Sequence, residues 1–326
     1  MSMPHSCAII GLGAIGMGYD RELDPEKYVF SHARALSTHP AFVLQGAVDP
    51  SPEHRRDFEK LYGLPTFPDV MHLLASSKPE VVVISSPTET HGEVLKKVLH
   101  NSLPSIILCE KPLSRDIREA REMVQMCEAL EVPLFVNYPR RSDPGPLEIA
   151  RRFRSGEVEL PAKGMAWYSK GIYNNGSHMV NLLEMWLGPC REARSVSNGA
   201  PSSLGNDPEP DGFLAFERGY VALLSAREEH YSHYGIELVT PSGRLRYDRG
   251  GELITWEVAK PDPLFLPSRK LAENPEIIPN GRNTYQRHVV VEMAAALEGK
   301  PSSLCTGQQA LQTLECIHSM LNTSYL

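Results

Sequence analysis

Apolar residues in the first half of the chain come in short, nearly unbroken runs. Cys7-Ala8-Ile9-Ile10, residues 42–48, Val81-Val82-Val83-Ile84, Ile106-Ile107-Leu108-Cys109 and Leu134-Phe135-Val136 are continuous rather than alternating. That is the pattern of strands covered on both faces. Between them, residues 52–62, 91–101 and 117–130 have helical spacing, the last preceded by Ser114 as a cap. Strands alternating with helices predict an α/β fold: a Rossmann-type, doubly wound parallel sheet over residues 1–137.

After Tyr138 the pattern changes. Helices are expected over residues 146–155 and, strongly apolar, over 177–187. A strand-rich region then runs from about residue 195 to 258. Within it, residues 213–217 and 220–224 flank Arg218-Gly219, and residues 236–239 and 244–247 flank Pro241-Ser242-Gly243, both hairpin signals. A meander of this kind predicts a large, mostly antiparallel open sheet with one face free to pack elsewhere. The Pro-rich stretch 261–279 reads as irregular loop, and residues 283–297 and 306–321 as closing helices. Residues 138–326 are thus expected to form a second α/β domain for substrate binding and oligomerisation.

Composition narrows the partners. A formal charge of −7 argues against a phosphate-backbone binder, so no nucleic acid is expected. The start lacks a secretory pattern and no apolar stretch approaches the roughly 18 residues of a membrane span. Six scattered cysteines never form a C-x-x-C pair, which favours free thiols in a reducing cytoplasm over disulfides or zinc. No metal site is expected. The cluster His230, Tyr231, His233, Tyr234 lacks a carboxylate or cysteine at ligand spacing and reads as surface or interface.

Gly11-Leu12-Gly13-Ala14-Ile15-Gly16 fits G-x-G-x-x-G and follows the first strand. Gly11 permits a tight turn, Gly13 lets a pyrophosphate approach the backbone, and Gly16 lets the helix pack closely. Asp49, ending the second strand, is placed to accept from a ribose diol, which favours NAD. Arg55 and Arg56 keep NADP as the alternative. The acid usually follows the glycines by about 20 residues; here residues 19–30 push it further and read as an insertion before the helix resumes at Ser31-His32.

Two further segments are specific. Ser86-Pro87-Thr88-Glu89-Thr90-His91 follows the strand at 81–84, and Glu110-Lys111-Pro112 ends the strand at 106–109. With the glycine motif, and in this order, they closely resemble the Gfo/Idh/MocA oxidoreductase family. The resemblance implies that Gly11, Gly13, Ala14, Ile15, Gly16, Asp49, Ser86, Pro87, Thr88, His91, Glu110 and Lys111 line the cofactor. It also implies a cis Lys111–Pro112 peptide, with Lys111 reaching the substrate beside the nicotinamide. A lysine there can hydrogen-bond a carbinol oxygen and, with its pKa lowered, exchange the proton. Glu110 is its natural orienting neighbour.

The family's second-domain signature is an Asp four residues before a His. Here Asn174 stands in the Asp position before His178, and Asn181 where another Asp is common. In a continuous helix 174, 178 and 181 share a face. Asn174 cannot take a proton but can orient a hydroxyl or the imidazole. Tyr138, Tyr168 and Tyr173 are candidate pocket walls, and Arg140 and Arg141 candidate cations for anionic substrates.

What the resemblance implies is hydride transfer between NAD(H) and a secondary hydroxyl of a sugar, cyclitol or sugar nucleotide. Lys111, His178 and Asn174 serve the hydroxyl, in a homodimer or homotetramer built through the open sheet. Two alternatives belong to the same fold: an NAD-dependent glycosidase and a non-catalytic dinucleotide-binding regulator.

Overall fold

The computed structural model describes residues 3–197, 199, 205, 207–226 and 231–323. They fall into two units, Met1–Ser142 with Asn283–Leu311, and Asp143–Arg282 with Gln312–Leu326.

The first unit is built on β1 (His5–Ile10), β2 (Phe42–Val48), β3 (Thr66–Phe67), β4 (Val81–Ile84), β5 (Ile106–Glu110) and β6 (Leu134–Asn137). The spatial order is β6-β5-β4-β1-β2-β3, all parallel. Every residue of β4 and β5 is buried, as their unbroken apolar runs require. The order reverses between β1 and β4, and it is outside the strand ends at such a switch point that open α/β sheets bind ligands. The connecting helices are α1 (His32–Thr38), α2 (Pro52–Tyr62), α3 (Val70–Ser76), α4 (His91–Asn101) and α5 (Ile117–Ala129). Helix α2 starts where Ser51 accepts from the His54 N–H with Pro52 at the first position, and stops at left-handed Gly63. Helix α5 is capped by Asp116 rather than by Ser114, whose hydroxyl instead accepts from the Asp116 N–H at 3.0 Å.

The helix expected directly after the glycines is reduced to turns at residues 14–17, and the α-helix itself begins only at His32. The carbonyl of Ile15 accepts from His32 (3.0 Å) and that of Gly16 from Ala33 (2.9 Å), where a continuous helix would use residues 19 and 20. Thirteen residues are looped out and the helix resumes in register, as α1, beyond them. Buried Asp20 closes the loop, accepting from the N–H groups of Phe30 (2.6 Å) and Ser31 (2.9 Å) and from the Ser31 hydroxyl (2.6 Å).

The second unit carries α6 (Pro144–Ser155), β7 (Ala162–Tyr168), α7 (Ser177–Leu187), β8 (Cys190–Ser197), β9 (Asp211–Phe216), β10 (Gly219–Ser225), β11 (Gly235–Thr240), β12 (Gly243–Asp248) and β13 (Leu253–Pro261). Two short strands, β14 (Arg269–Leu271) and β15 (Glu276–Ile277), lie within the stretch expected to be irregular. The sheet order is β14-β13-β12-β11-β7-β10-β9-β8, with β15 also on β13. Pairing is antiparallel except for the parallel β7–β10 pair. One face buries Ala166, Leu214, Val221, Leu223 and Leu238 with Met179, Leu183 and Trp186 of α7. The opposite face exposes Met165, Phe213, Tyr220 and Val239.

Residues 283–311, assigned on sequence to the second domain, belong to the first unit. Helix α8 (Tyr285–Leu297) places Val289, Val290 and Met293 in the same core as Ile9, Leu36 and Val83. Then β16 (Cys305–Thr306) adds an antiparallel edge to β6 before α9 (Gly307–Asn322) begins. These apolar side chains find their burial in the first core, so a single boundary at 137/138 does not describe the chain. All six cysteines are free thiols; burial pushes Cys7 and Cys127 up to about 12. Among the described residues no helix is long and apolar enough to cross a membrane.

Excising residues 18–30 should join the two helical pieces without breaking register. The expected outcome is unchanged helical content by far-UV circular dichroism with a Tm several degrees lower, because Val29 is fully buried and such a side chain contributes about 1.5–3 kcal/mol. Loss of the helical signal would show that the loop is a foundation of α1 rather than an excursion from it.

Candidate functional site

The glycine loop is shaped by close approach. Gly11 has φ +104°, and a Cβ there would lie 2.5 Å from backbone atoms of Ser85 and Ser86. Ser85 ends up hydrogen-bonded to the loop, its hydroxyl donating to the Gly11 carbonyl at 2.8 Å. A Cβ on Gly16 would lie 2.1 Å from the Gly11 carbonyl oxygen. At Gly13, by contrast, a Cβ would meet nothing within 4 Å, and the adjoining Ala14 is exposed. Two glycines are therefore demanded by packing, while the third leaves an open stretch of backbone at the turn that follows β1. That is the cradle an anionic phosphate requires.

Asp49 is buried at the end of β2. Its Oδ2 accepts from the Leu12 N–H (2.7 Å), and its Oδ1 from the Ser51 N–H (2.8 Å) and lies 3.2 Å from His54 Nδ1. A carboxylate has about four lone-pair sites, so Oδ2 retains one for a further donor. Arg55 donates to the carbonyls of Asp49 (2.7 Å) and Pro50 (3.0 Å), which fixes it on the backbone.

After β4, Ser86 and Thr88 are half-buried and Pro87 is exposed. Thr90 Oγ1 donates to the Pro87 carbonyl and lies hydrogen-bonded to Ser86 Oγ, both at 2.7 Å, and braces the turn. His91 corrects an expectation: its side chain is fully buried, with Nε2 2.9 Å from the Ser86 carbonyl and Nδ1 3.2 Å from that of Leu113. It ties the two loops together and is not itself open to a ligand.

Lys111 follows the last residue of β5, half-buried, and its peptide to Pro112 is cis. Glu110 is buried, not a solvated strand-end acid. Its Oε1 lies 2.7 Å from His32 Nε2 and 2.6 Å from Asn137 Nδ2, and its Oε2 is 3.3 Å from the Lys111 backbone nitrogen. Gln286 of α8 completes a circuit, with Nε2 2.9 Å from His32 Nδ1 and Oε1 3.3 Å from Asn137 Nδ2. Burial alone would raise the Glu110 carboxyl. The His32 hydrogen bond, the Asn137 amide and the Lys111 ammonium together hold it below the ordinary carboxylate range. His32, Asn137 and Gln286 were not singled out from sequence as functional. Each is an isolated polar residue beside an apolar run, and only the fold assembles them.

In the second unit, residues 172–176 form a π turn that runs directly into α7, the Gly176 N–H donating to the Gly171 carbonyl at 3.0 Å. The turn is held by Asp207, another residue that sequence reading passed over. Its buried carboxylate accepts from the N–H groups of Tyr173 (3.0 Å) and Asn174 (2.9 Å). His178 is the second residue of α7 and is buried, while Asn174 is half-buried. Asn181 does not serve the same purpose: it donates to Thr313 Oγ1 of α9 at 2.9 Å and is core. The shared polar face therefore reduces to 174 and 178.

Two other expectations change. Tyr168 is a core residue, its hydroxyl donating to the Pro210 carbonyl at 2.6 Å. Arg141 is buried, donating to the Ser303 carbonyl (3.3 Å) and Gln309 Oε1 (3.1 Å); it anchors the returning segment rather than offering charge to a substrate. His230 lies outside the described residues; Tyr231 stands edge-on to His233 at 6.1 Å, which in turn lies 5.9 Å from Trp167.

Residues 5–138 match the oxidoreductase family with an NAD-binding Rossmann fold. Among curated proteins, an inositol 2-dehydrogenase of Rubrobacter xylanophilus is 35% identical over 107 residues, 32% of this chain and 30% of that one. The scyllo-inositol 2-dehydrogenase (NAD(+)) of Bacillus subtilis is 27% identical over 157 residues, 48% and 42% of the two chains. The chain thus spans less than half the length of these two relatives. Among solved structures, the WlbA dehydrogenase of Bordetella pertussis, in complex with NADH and UDP-GlcNAcA, superposes with a TM-score of 0.77 at 17% identity, covering 99% of this chain and 96% of its own. An oxidoreductase of Agrobacterium radiobacter gives 0.73 at 16%, covering 98% and 96%. At these identities the likeness speaks for the fold. The motifs and the matched segment agree: residues 5–138 match the NAD-binding Rossmann domain of the Gfo/Idh/MocA oxidoreductase family, and the solved structures show the same fold across the chain.

Proposed function

We propose that the protein is a dehydrogenase that moves a hydride between NAD(H) and a secondary hydroxyl of a sugar, cyclitol or sugar nucleotide. One observation carries the reading: the open glycine cradle, the Asp49 carboxylate and Lys111 all lie at the strand ends flanking the β1/β4 switch point. The names of the relatives, inositol 2-dehydrogenases and a sugar-nucleotide dehydrogenase, support the substrate class.

The residues fit the cofactor. Gly13, Ala14 and Ile15 offer backbone to the pyrophosphate, Asp49 Oδ2 accepts from a ribose hydroxyl, and Ser86, Pro87 and Thr88 form the neighbouring wall. With Asp49 buried and Arg55 held on two carbonyls, NAD suits the site better than NADP, whose 2′-phosphate would face a carboxylate. When bound, the nicotinamide supplies the hydride acceptor or donor. Lys111 hydrogen-bonds the carbinol oxygen and takes its proton as the alcohol is oxidised. His178 passes the proton on or shares the hydroxyl. Asn174, as donor and acceptor, orients the hydroxyl without holding the proton.

We also assign the exposed face of the second sheet to self-association. Phe213, Tyr220, Met165 and Val239 make an apolar patch on a sheet face that no helix of the described residues covers. A two-fold homodimer, alone or doubled into a tetramer, is the economical way to bury it.

Lys111→Met preserves the bulk of the stem. NAD affinity by calorimetry should survive while turnover falls by about 10²–10⁴-fold; near-normal turnover would move the chemistry elsewhere. Asp49→Ala should weaken NAD by about 1.5–3 kcal/mol, the range for a hydrogen bond to a charged group, and narrow the preference over NADP. Unchanged affinity for both would remove Asp49 from the site. Phe213→Glu with Tyr220→Glu should convert the oligomer to monomer in sedimentation velocity, and a wild-type protein that sediments as a monomer would refute the assignment of this face.

A further inference from the structure

The circuit around Glu110 has only one consistent hydrogen-bond polarity. An ionised carboxylate accepts only, so the Asn137 group 2.6 Å from Oε1 is its amide nitrogen. The same nitrogen then donates to Gln286 Oε1, which turns the Gln286 amide nitrogen toward His32 Nδ1. His32 Nδ1 must accept, and Nε2–H donates to Glu110. Reversing Asn137 would set its oxygen against the Glu110 carboxylate, and reversing Gln286 would set two amide nitrogens against each other. The ring is closed, directional and sealed: His32, Asn137 and Gln286 are each no more than 1% exposed.

Such an arrangement is an expensive way to fill a core. Apolar side chains of similar volume would be as stabilising or more so, whereas removing one member strands a buried charge. The ring is also placed where position matters. Its carboxylate belongs to the residue before Lys111, and its histidine is the first residue of α1, whose N–H is bound to Ile15 of the glycine loop.

Resting on the role proposed above for Lys111, we propose that His32, Asn137 and Gln286 are positioning residues that hold the Glu110 carboxylate, ionised and fixed, beside Lys111 and so set the state of its ammonium. His32 and Asn137 occupy Oε1. Oε2 is left toward the Lys111 backbone, so the charge cannot swing away or be neutralised. The titratable groups bearing on Glu110 are His32 from α1, Lys111 on its own strand end, and Tyr285 from α8. Buried Cys109 adjoins it, and Arg140 and Asp20 act on Tyr285. Gln286 transmits the constraint from α8, which gives residues 283–311 a part in the chemistry of a residue far from them in sequence.

The test reads Lys111 itself. The intact protein is acetylated with an N-hydroxysuccinimide ester across a pH series, with and without NAD, and mass spectrometry reports the pH of half-modification at Lys111. An opposite charge within reach favours the ammonium form, so Glu110→Gln should lower that pH by about one unit or more. His32→Leu should shift it the same way by less, because a Glu110 carboxyl without that donor rises and loses charge near neutrality. His32→Gln, which keeps a donor toward Oε1, should restore the wild-type profile. Should His32→Leu fail to fold, Gln286→Met carries the same expectation from one residue further out. The readout needs no turnover. A protein that releases no NADH with any sugar or cyclitol would sink the proposed activity, and these profiles would still be judged by themselves. Superposable profiles for folded wild type, Glu110→Gln and His32→Leu would overturn the positioning role.

Discussion

Two hydrogen bonds, from His32 to Ile15 and from Ala33 to Gly16, join a helix across thirteen looped-out residues, and much of the first unit depends on that splice. Because the helix resumes in register, β2 arrives beside β1 with the alignment of an uninterrupted βαβ unit. Asp49 then meets the Leu12 N–H at 2.7 Å. Subtracting the loop restores the ordinary spacing of about 20 residues between the last glycine and the acid that follows the second strand. The same splice makes His32 the first residue of α1 and places its ring against Glu110. Without Asp20 binding the loop's far end, the chain would lose closure of a long excursion and the register with it.

The splice also explains why the first unit needs residues 283–311. Val29 in the loop donates its N–H to the Asn283 carbonyl and accepts from the Gln286 N–H, and Phe30 lies 5.2 Å from Tyr285. The loop is thereby a docking strip for the start of α8. Once α8 is seated, Gln286 enters the ring around Glu110 and Val289, Val290 and Met293 complete the core. Core packing and the polarity of the Lys111 neighbourhood are set by the same contact.

What could be read from the chain follows from range. The strands at 81–84 and 106–110 were legible because full burial on both faces writes itself into consecutive residues. The insertion was legible because a glycine turn, a delayed acid and a Ser-His restart conflict with an unbroken helix. The strand Ala162–Tyr168 went unseen because Lys163, Gly164 and Met165 dilute its apolar signal on the face left uncovered. The return of 283–311 was illegible since an amphipathic helix announces that it has an apolar face, not which core receives it. His32, Asn137 and Gln286 stand 105 and 149 residues apart in succession, beyond any local pattern. The roles of His91 and Arg141 were misread for a related reason: residue type announces chemistry, while burial decides whether that chemistry faces a ligand or a carbonyl of the fold.

Position 174 shows burial and chemistry acting together. Read as a motif, asparagine there is a departure from the family's aspartate. In the structure the backbone at 173 and 174 is already bound by the buried carboxylate of Asp207, which satisfies N–H groups that a π turn leaves exposed at a helix start. A carboxylate on residue 174 would add a second negative charge to a turn whose backbone the Asp207 carboxylate already binds. Asparagine keeps the hydrogen-bonding capacity at 174 without that charge. The backbone N–H groups at the entry to α7 are met by Asp207. Since asparagine cannot hold a proton, the function proposed above lays the acid–base burden on Lys111 and His178, and the fixed carboxylate next to Lys111 in sequence gains weight in that proposal.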